Sequence, residues 1–171
     1  MKHGKTNIDI LSLRAERLVV TGFRCCMAGY DLGDTSCWET AWQSYLGELG
    51  SEVAPPLMGG LQHWVRNVRH HGARPIRYFP QGCRFLCHDE CMALSLLSAA
   101  QAGDQDTGGR ASFHLGTIGS EPSANKVWMA TVTFGSALLQ AGLVLYPVDS
   151  AVVDSTAALD RSRNATASRL N

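Results

Sequence analysis

Apolar residues recur three and four positions apart through most of this chain, the spacing that keeps side chains on one face of an α-helix. Val19, Phe23, Met27 and Tyr30 share such a face, with Leu18 and Cys26 beside them, so a first helix is expected over about residues 12–30. Gly29 and Gly33 bracket its end, and Tyr30 to Asp34 reads as a turn. Ser36-Cys-Trp-Glu39 then has the form of a capping box, in which a serine hydroxyl accepts from the amide three residues on and a glutamate reaches back. Trp38, Trp42, Tyr45 and Leu49 follow as one stripe, and Gly50 stands where a left-handed residue closes a helix. Pro55-Pro56 suits the start of a third helix, whose core face carries Leu57, Leu61, Trp64 or Val65, and Val68, and which ends at Gly72. Pro75 to Pro80 is expected to be extended, because each proline disfavours helix at the residue before it.

A fourth helix is predicted from about His88 to Ala102. Asp89 and Glu90 sit in its first turn, where the helix dipole favours negative charge. Met92 to Ala100 is nearly all apolar or small, which makes this helix the central one. Residues 103–110, rich in Gly and Asp, read as a flexible loop, and 112–118 alternates weakly enough to suggest a short strand. A fifth helix begins near Ser120 or Ser123. It carries Val127–Val148, a charge-free run long enough to cross a bilayer. Thr131, Thr133, Ser136 and Gln140 interrupt that run, Gly135 and Gly142 weaken it, and no Lys/Arg cluster flanks it. It is therefore read as a buried core helix, with a membrane span disfavoured; Leu143 to Tyr146 has strand-like residues. Residues 149–171 carry few, scattered apolar residues and read as a disordered tail. The expectation is an all-α bundle of about five helices over residues 1–148, with helix four at its centre.

Composition agrees with one domain. Of 171 residues, 45% are hydrophobic and 18% charged, enough apolar material for one core. Lys plus Arg and Asp plus Glu number 15 each, so whole-chain charge points to no class of partner. Locally the balance fails. No acid occurs between Glu52 and Asp89, a stretch that holds Arg66, Arg69, Arg74, Arg77 and Arg84 with His63, His70, His71 and His88. Arg66, Arg69 and His70 share a helix face, and with Arg74 and Arg77 they are the candidate partner-binding residues. The partner expected is an acidic protein surface; nucleic acid is disfavoured. The bland reading is that these arginines pair internally with acids such as Asp31, Asp34, Glu39 and Glu48.

The second candidate is Cys83-Arg-Phe-Leu-Cys87-His-Asp-Glu-Cys91. Thiolates bind zinc or iron–sulfur clusters because soft sulfur suits those metals. Cys83, Cys87 and Cys91 with His88 are thus the candidate metal ligands. With the helix starting near His88, Cys83 lies on a loop that can fold over its N-terminus. No clean CxxC pair is present, and the alternative is that these thiols line or enter the core. Cys87 beside His88 and Arg84 also reads as a reactive thiol, opposed by Asp89 and Glu90. Cys25 and Cys26 are adjacent on the first helix, which points one to the core and one to the surface.

The N-terminal residues Lys2, His3 and Lys5 precede an apolar stretch broken by Asp9 and Arg14, unlike an export signal. A reducing cytoplasm is therefore expected, in which cysteines are seldom bridged. No P-loop, GxGxxG after a strand, HExxH, GxSxG or EF-hand loop occurs, so no catalytic residue can be named and an enzyme is not favoured. Three readings remain. The first is a helical accessory or regulatory protein that binds another protein. The second is a thiolate protein holding zinc or an iron–sulfur cluster, and the third a Cys-dependent redox or thiol enzyme.

Overall fold

In the computed structural model, which describes residues 9–117 and 121–168, those residues form six α-helices and no strand. A 3-10 turn at Ile10–Ser12 leads into α1 (Arg14–Leu32). Gly33 closes α1 in the left-handed conformation. The next helix, α2 (Thr35–His70), is capped by Asp34, whose carboxylate accepts from the amides of Ser36 and Cys37. Asp34 thus takes the capping role that the sequence pattern assigns to Ser36.

Gly50 divides α2. Its φ of 78° and ψ of 171° lie in a region that glycine alone enters freely. The contacts show what the break does. Trp38 meets Gly29, Tyr45 meets Gly22, and Glu48 meets Arg14, so the first half of α2 runs down α1. Leu61 meets Gly22 and Arg69 meets Asp31, so the second half runs back up it. The chain therefore reverses at Gly50, as the expected helix end there requires. The second half begins at Ser51 rather than at Pro55, with both prolines exposed near its start.

Helix α3 (His88–Ala102) matches its expected limits and is central, packing against α1, α4, α5 and α6. Two corrections follow. The predicted loop at 103–110 and strand at 112–118 are replaced by α4 (Gln105–Leu115); Ile118 lies outside the described residues. Asp104 caps α4, accepting from the Thr107 amide and hydroxyl. Gly108, which looks like a helix breaker in sequence, is the face on which the Trp128 ring lies.

Likewise the expected disordered tail is α6 (Ser150–Ser168); residues 169–171 lie outside the described residues. Asp149 starts α6 by accepting from the Val152 amide. Val153 and Ala157, four apart, bury one stripe of it, while Asp154 and Asp160 pair with Arg110 and Arg77. A few apolar contacts suffice where ion pairs fix the rest of the face.

Between α4 and α6, α5 (Glu121–Gln140) carries the first part of the charge-free run. Its Val127, Ala130, Phe134 and Leu138 are buried against α2 and α3. Ser120, one of its two expected starts, lies outside the described residues. No described helix is long and apolar enough to cross a membrane. The core centres on Trp64, with the rings of Phe23 and Phe134 at 5.7 and 5.5 Å. Its indole N–H donates to Thr131 Oγ1 at 3.1 Å, so the one polar atom of the ring is satisfied inside the core.

After α5, residues 143–148 form an extended strap. Leu143 and Leu145 point inward and Val144 and Tyr146 outward. Side chains close several of its backbone groups. Gln101 donates to Leu143 O and accepts from the Leu145 amide, Ser98 donates to Tyr146 O, and Glu16 accepts from the Tyr146 amide.

One cysteine expectation is overturned outright. Cys25 and Cys26 are both fully buried, and Cys25 is bridged to Cys37 with a Cα–Cα distance of 4.9 Å. The bridge joins α1 to the start of α2 across the turn at Gly33. Closing so short a loop contributes about 3 kcal/mol through the unfolded chain. Reduction is therefore expected to lower the unfolding free energy by about that amount, and Cys37→Ser to abolish the effect of reductant. Equal denaturation midpoints with and without reductant in the unsubstituted protein would contradict this.

Candidate functional site

Two adjacent acids open α3, and successive positions on a helix point about 100° apart. Asp89 and Glu90 are both buried, and each gathers its own arginines. Glu90 receives Arg24 of α1 through two bonds, Nε to Oε1 at 2.6 Å and Nη2 to Oε2 at 3.1 Å. Both side chains are almost inaccessible. Their remaining valences hold the loop that precedes α3. Arg24 donates to the carbonyls of Cys83 and Phe85, and Glu90 accepts from the amides of Phe79 and Cys87.

Asp89 faces the other way. Arg74 approaches it in a two-pronged pair, Nη1 to Oδ2 at 2.6 Å and Nη2 to Oδ1 at 2.9 Å. Arg77 donates to it through its backbone amide and its guanidinium, and His88 Nδ1 lies 2.9 Å from Oδ1. Burial alone would raise the Asp89 pKa. The bonds from Arg74, the Arg77 amide, His88 and the Arg77 side chain outweigh it and hold the carboxyl well below the usual carboxylate range. Arg77 also reaches Asp160 of α6 at 3.1 Å.

Of the basic residues singled out in the sequence, Arg69 takes a third acid, Asp31. Its Nε and Nη2 lie 3.0 and 2.8 Å from Asp31 Oδ1, and its guanidinium sits 5.6 Å from the centroid of Tyr30. Tyr30, Asp31, Arg69, Gly72, Arg74 and Ile76 border one open groove of about 650 Å³. Arg66 and His70 are exposed on α2 nearby. His70 meets His71 edge to face at 4.9 Å. The His71 imidazole is pushed below its usual pKa by burial, then by His70 and by Lys126. Arg66 and Arg84 form no ion pair among the described residues.

The arginines thus fall into two groups. Arg66 and Arg84 are solvated. Arg74 and Arg77 are anchored by the buried Asp89 and Arg69 by Asp31, which itself borders the groove, yet the three arginine side chains remain 38%, 47% and 43% exposed. Asp31 was foreseen as a partner. Asp89, Glu90, Arg24 and Asp160 were not. The signal available for the first two was a long acid-free run ending in a pair of acids at a helix start.

The cysteines do not gather into a ligand set. Cys87 caps α3 and Cys83 lies on the preceding loop, as expected once the helix starts at His88. The Cys87 thiol donates to the carbonyl of Arg77 at 3.3 Å, and His88 turns its Nδ1 to Asp89 instead. Among the described residues, no group of three or more His, Cys, Asp or Glu side chains is placed to hold a metal ion. Burial, with Glu90 and Asp89 close by, pushes the Cys87 thiol up to about 12, and burial pushes Cys91 up to about 11. This is the reverse of an activated nucleophile. The chain matches no protein family, no curated protein and no solved structure.

Asp89→Asn is expected to lose about 3 kcal/mol at neutral pH, because it leaves arginines facing a neutral buried group. A carboxyl whose folded pKa is depressed stabilises in full above its unfolded value of about 3.9, and that stabilisation is lost progressively as pH falls from there through the folded value. The gap between wild type and Asp89→Asn should therefore narrow steadily in urea titrations as pH falls from about 4 toward the most acidic condition reached; a gap independent of pH would refute the assignment. At pH 7.5, Cys87 should react with iodoacetamide at least about tenfold more slowly than free glutathione. Peptide mapping of the alkylated protein measures this, and equal or faster reaction would restore the reactive-thiol reading.

Proposed function

We propose that this protein is a helical accessory or regulatory protein that acts by binding an acidic segment of another protein. The segment would lie along the groove between α1, the end of α2 and the loop that follows. The observation that carries this reading is the pair of half-exposed guanidinium groups of Arg69 and Arg74 on that groove, with Arg77 beside them in the chain, each held by a carboxylate partner. A guanidinium presents a planar fork of donors suited to carboxylates. Holding it in place beforehand reduces the rotamer freedom lost on binding. Arg66 and His70 extend the same face along α2, and Arg66 supplies a charge that no acid takes up among the described residues.

The internal pairs also limit the reading. Asp31, Asp89 and Asp160 neutralise much of the local charge, so attraction is short-ranged and depends on geometry more than on a strong field. That favours a partner presenting spaced carboxylates over a polyanion such as nucleic acid.

The test uses a fluorescent decapeptide alternating Asp or Glu with Gly, titrated with the full chain at several salt concentrations. Saturable binding that weakens with salt is expected, with a loss of about tenfold or more in Arg66→Glu/Arg69→Glu. Both residues are exposed, so this variant should fold. Binding unchanged by charge reversal, or no binding at any salt concentration, would rule the proposal out.

A further inference from the structure

Glu16 is 3% exposed and has no cation within ion-pair distance among the described residues. It is the third residue of α1, so the helix N-terminus offsets part of its charge. Its Oε1 accepts from the Tyr146 amide, and its Oε2 accepts no hydrogen bond among the described residues. Oε2 is nevertheless not sealed off. The only fully inaccessible side-chain nitrogen or oxygen without a partner among the described residues is Tyr45 Oη, which lies elsewhere. Glu16 therefore presents one open carboxylate oxygen to accessible space.

That space includes a recess of about 180 Å³. Its walls come from the 3-10 turn, the loop before α3, α3 itself, the strap and α6, through Ile10, Leu86, Leu94, Leu145, Val148 and Val152. The other polar groups lining it are committed or neutral. The Ser95 hydroxyl donates to Cys91 O and the Thr156 hydroxyl to Val152 O. The Cys91 thiol, raised by burial, stays protonated. Glu16 also borders a second, more open depression lined by Leu13, Arg14, Leu143 and Pro147, so the carboxylate stands at the edge of the recess rather than at its centre.

An apolar recess with a single unpaired carboxylate at its wall selects one chemistry. A hydrocarbon body fills the recess, and one ammonium group takes the open oxygen. A cavity of about 150 Å³ is known to hold benzene, so the space suits one ring on a short tether. We infer that this recess is a binding site for a small primary amine with an apolar body, held by Glu16 through its ammonium group and by Ile10, Leu94, Leu145 and Val152 through its hydrocarbon. This site is separate from the arginine groove and does not depend on the function proposed for it.

The test titrates the full chain with 2-phenylethylamine, 2-phenylethanol and 3-phenylpropanoate, following chemical shifts by NMR. The amine should bind saturably, the alcohol about tenfold more weakly or worse, and the carboxylate not at all. Glu16→Gln keeps an oxygen for the Tyr146 amide but removes the charge. It should unfold within a few degrees of wild type and bind the amine no better than the alcohol. Val152→Trp, at the partly exposed mouth, should block the amine while leaving Glu16 intact, and it decides the question if Glu16→Gln does not fold. The inference is overturned if the amine does not bind wild type, if Glu16→Gln binds it as tightly as wild type does, or if Val152→Trp leaves its binding unchanged.

Discussion

The buried pair between Arg24 and Glu90 is the contact on which the arrangement around α3 depends. Two charges out of water gain little from each other alone, because desolvation opposes their attraction. Here the pair does more than neutralise itself. Its spare donors and acceptors take two carbonyls and two amides of residues 79–87, a segment with no regular structure to satisfy them. A hydrophobic pair of equal volume would leave those part-buried backbone groups without these partners. The ion pair is thus the substitute for secondary structure in this segment, and it sets where α3 begins.

The neighbouring acid carries the consequence to the surface. With Glu90 committed to α1, helical geometry turns Asp89 toward the 74–77 segment and α6. Arg74, Arg77 and His88 converge on it, and Arg77 passes on to Asp160. Surface guanidiniums that would otherwise sample many rotamers are thereby held by a carboxylate that cannot move. Arg74 and Arg77 of the proposed interface are thus held by an ionised group buried on the first turn of the central helix.

Much of the helical framework was readable from spacing alone. The limits of α1 and α3, the break at Gly50 and the burial of α5 follow from apolar periodicity and glycine placement. Helix α4 was not readable, because Gly108 and Gly109 resemble a loop until Trp128 is seen to lie on Gly108. Helix α6 was obscured for a different reason. Among its described side chains only Val153 and Ala157 are buried, and the ion pairs that hold the rest are long-range. For the candidate site, the arginines and the acid-free run were visible, but their partners were not. Arg24 and Glu90 lie 66 positions apart, and nothing local marks them as a pair. The bridge between Cys25 and Cys37 was hidden in the same way, since it depends on the tight turn that brings two helices side by side.

The strap at residues 143–148 has the inward–outward alternation of a β-strand without a neighbouring strand. Such a segment at a surface ordinarily offers open amides and carbonyls to any other extended chain, the route by which proteins aggregate edge to edge. Glu16, Ser98 and Gln101 occupy several of those groups with side chains, so this strand-like stretch reaches the surface with much of its pairing capacity already used.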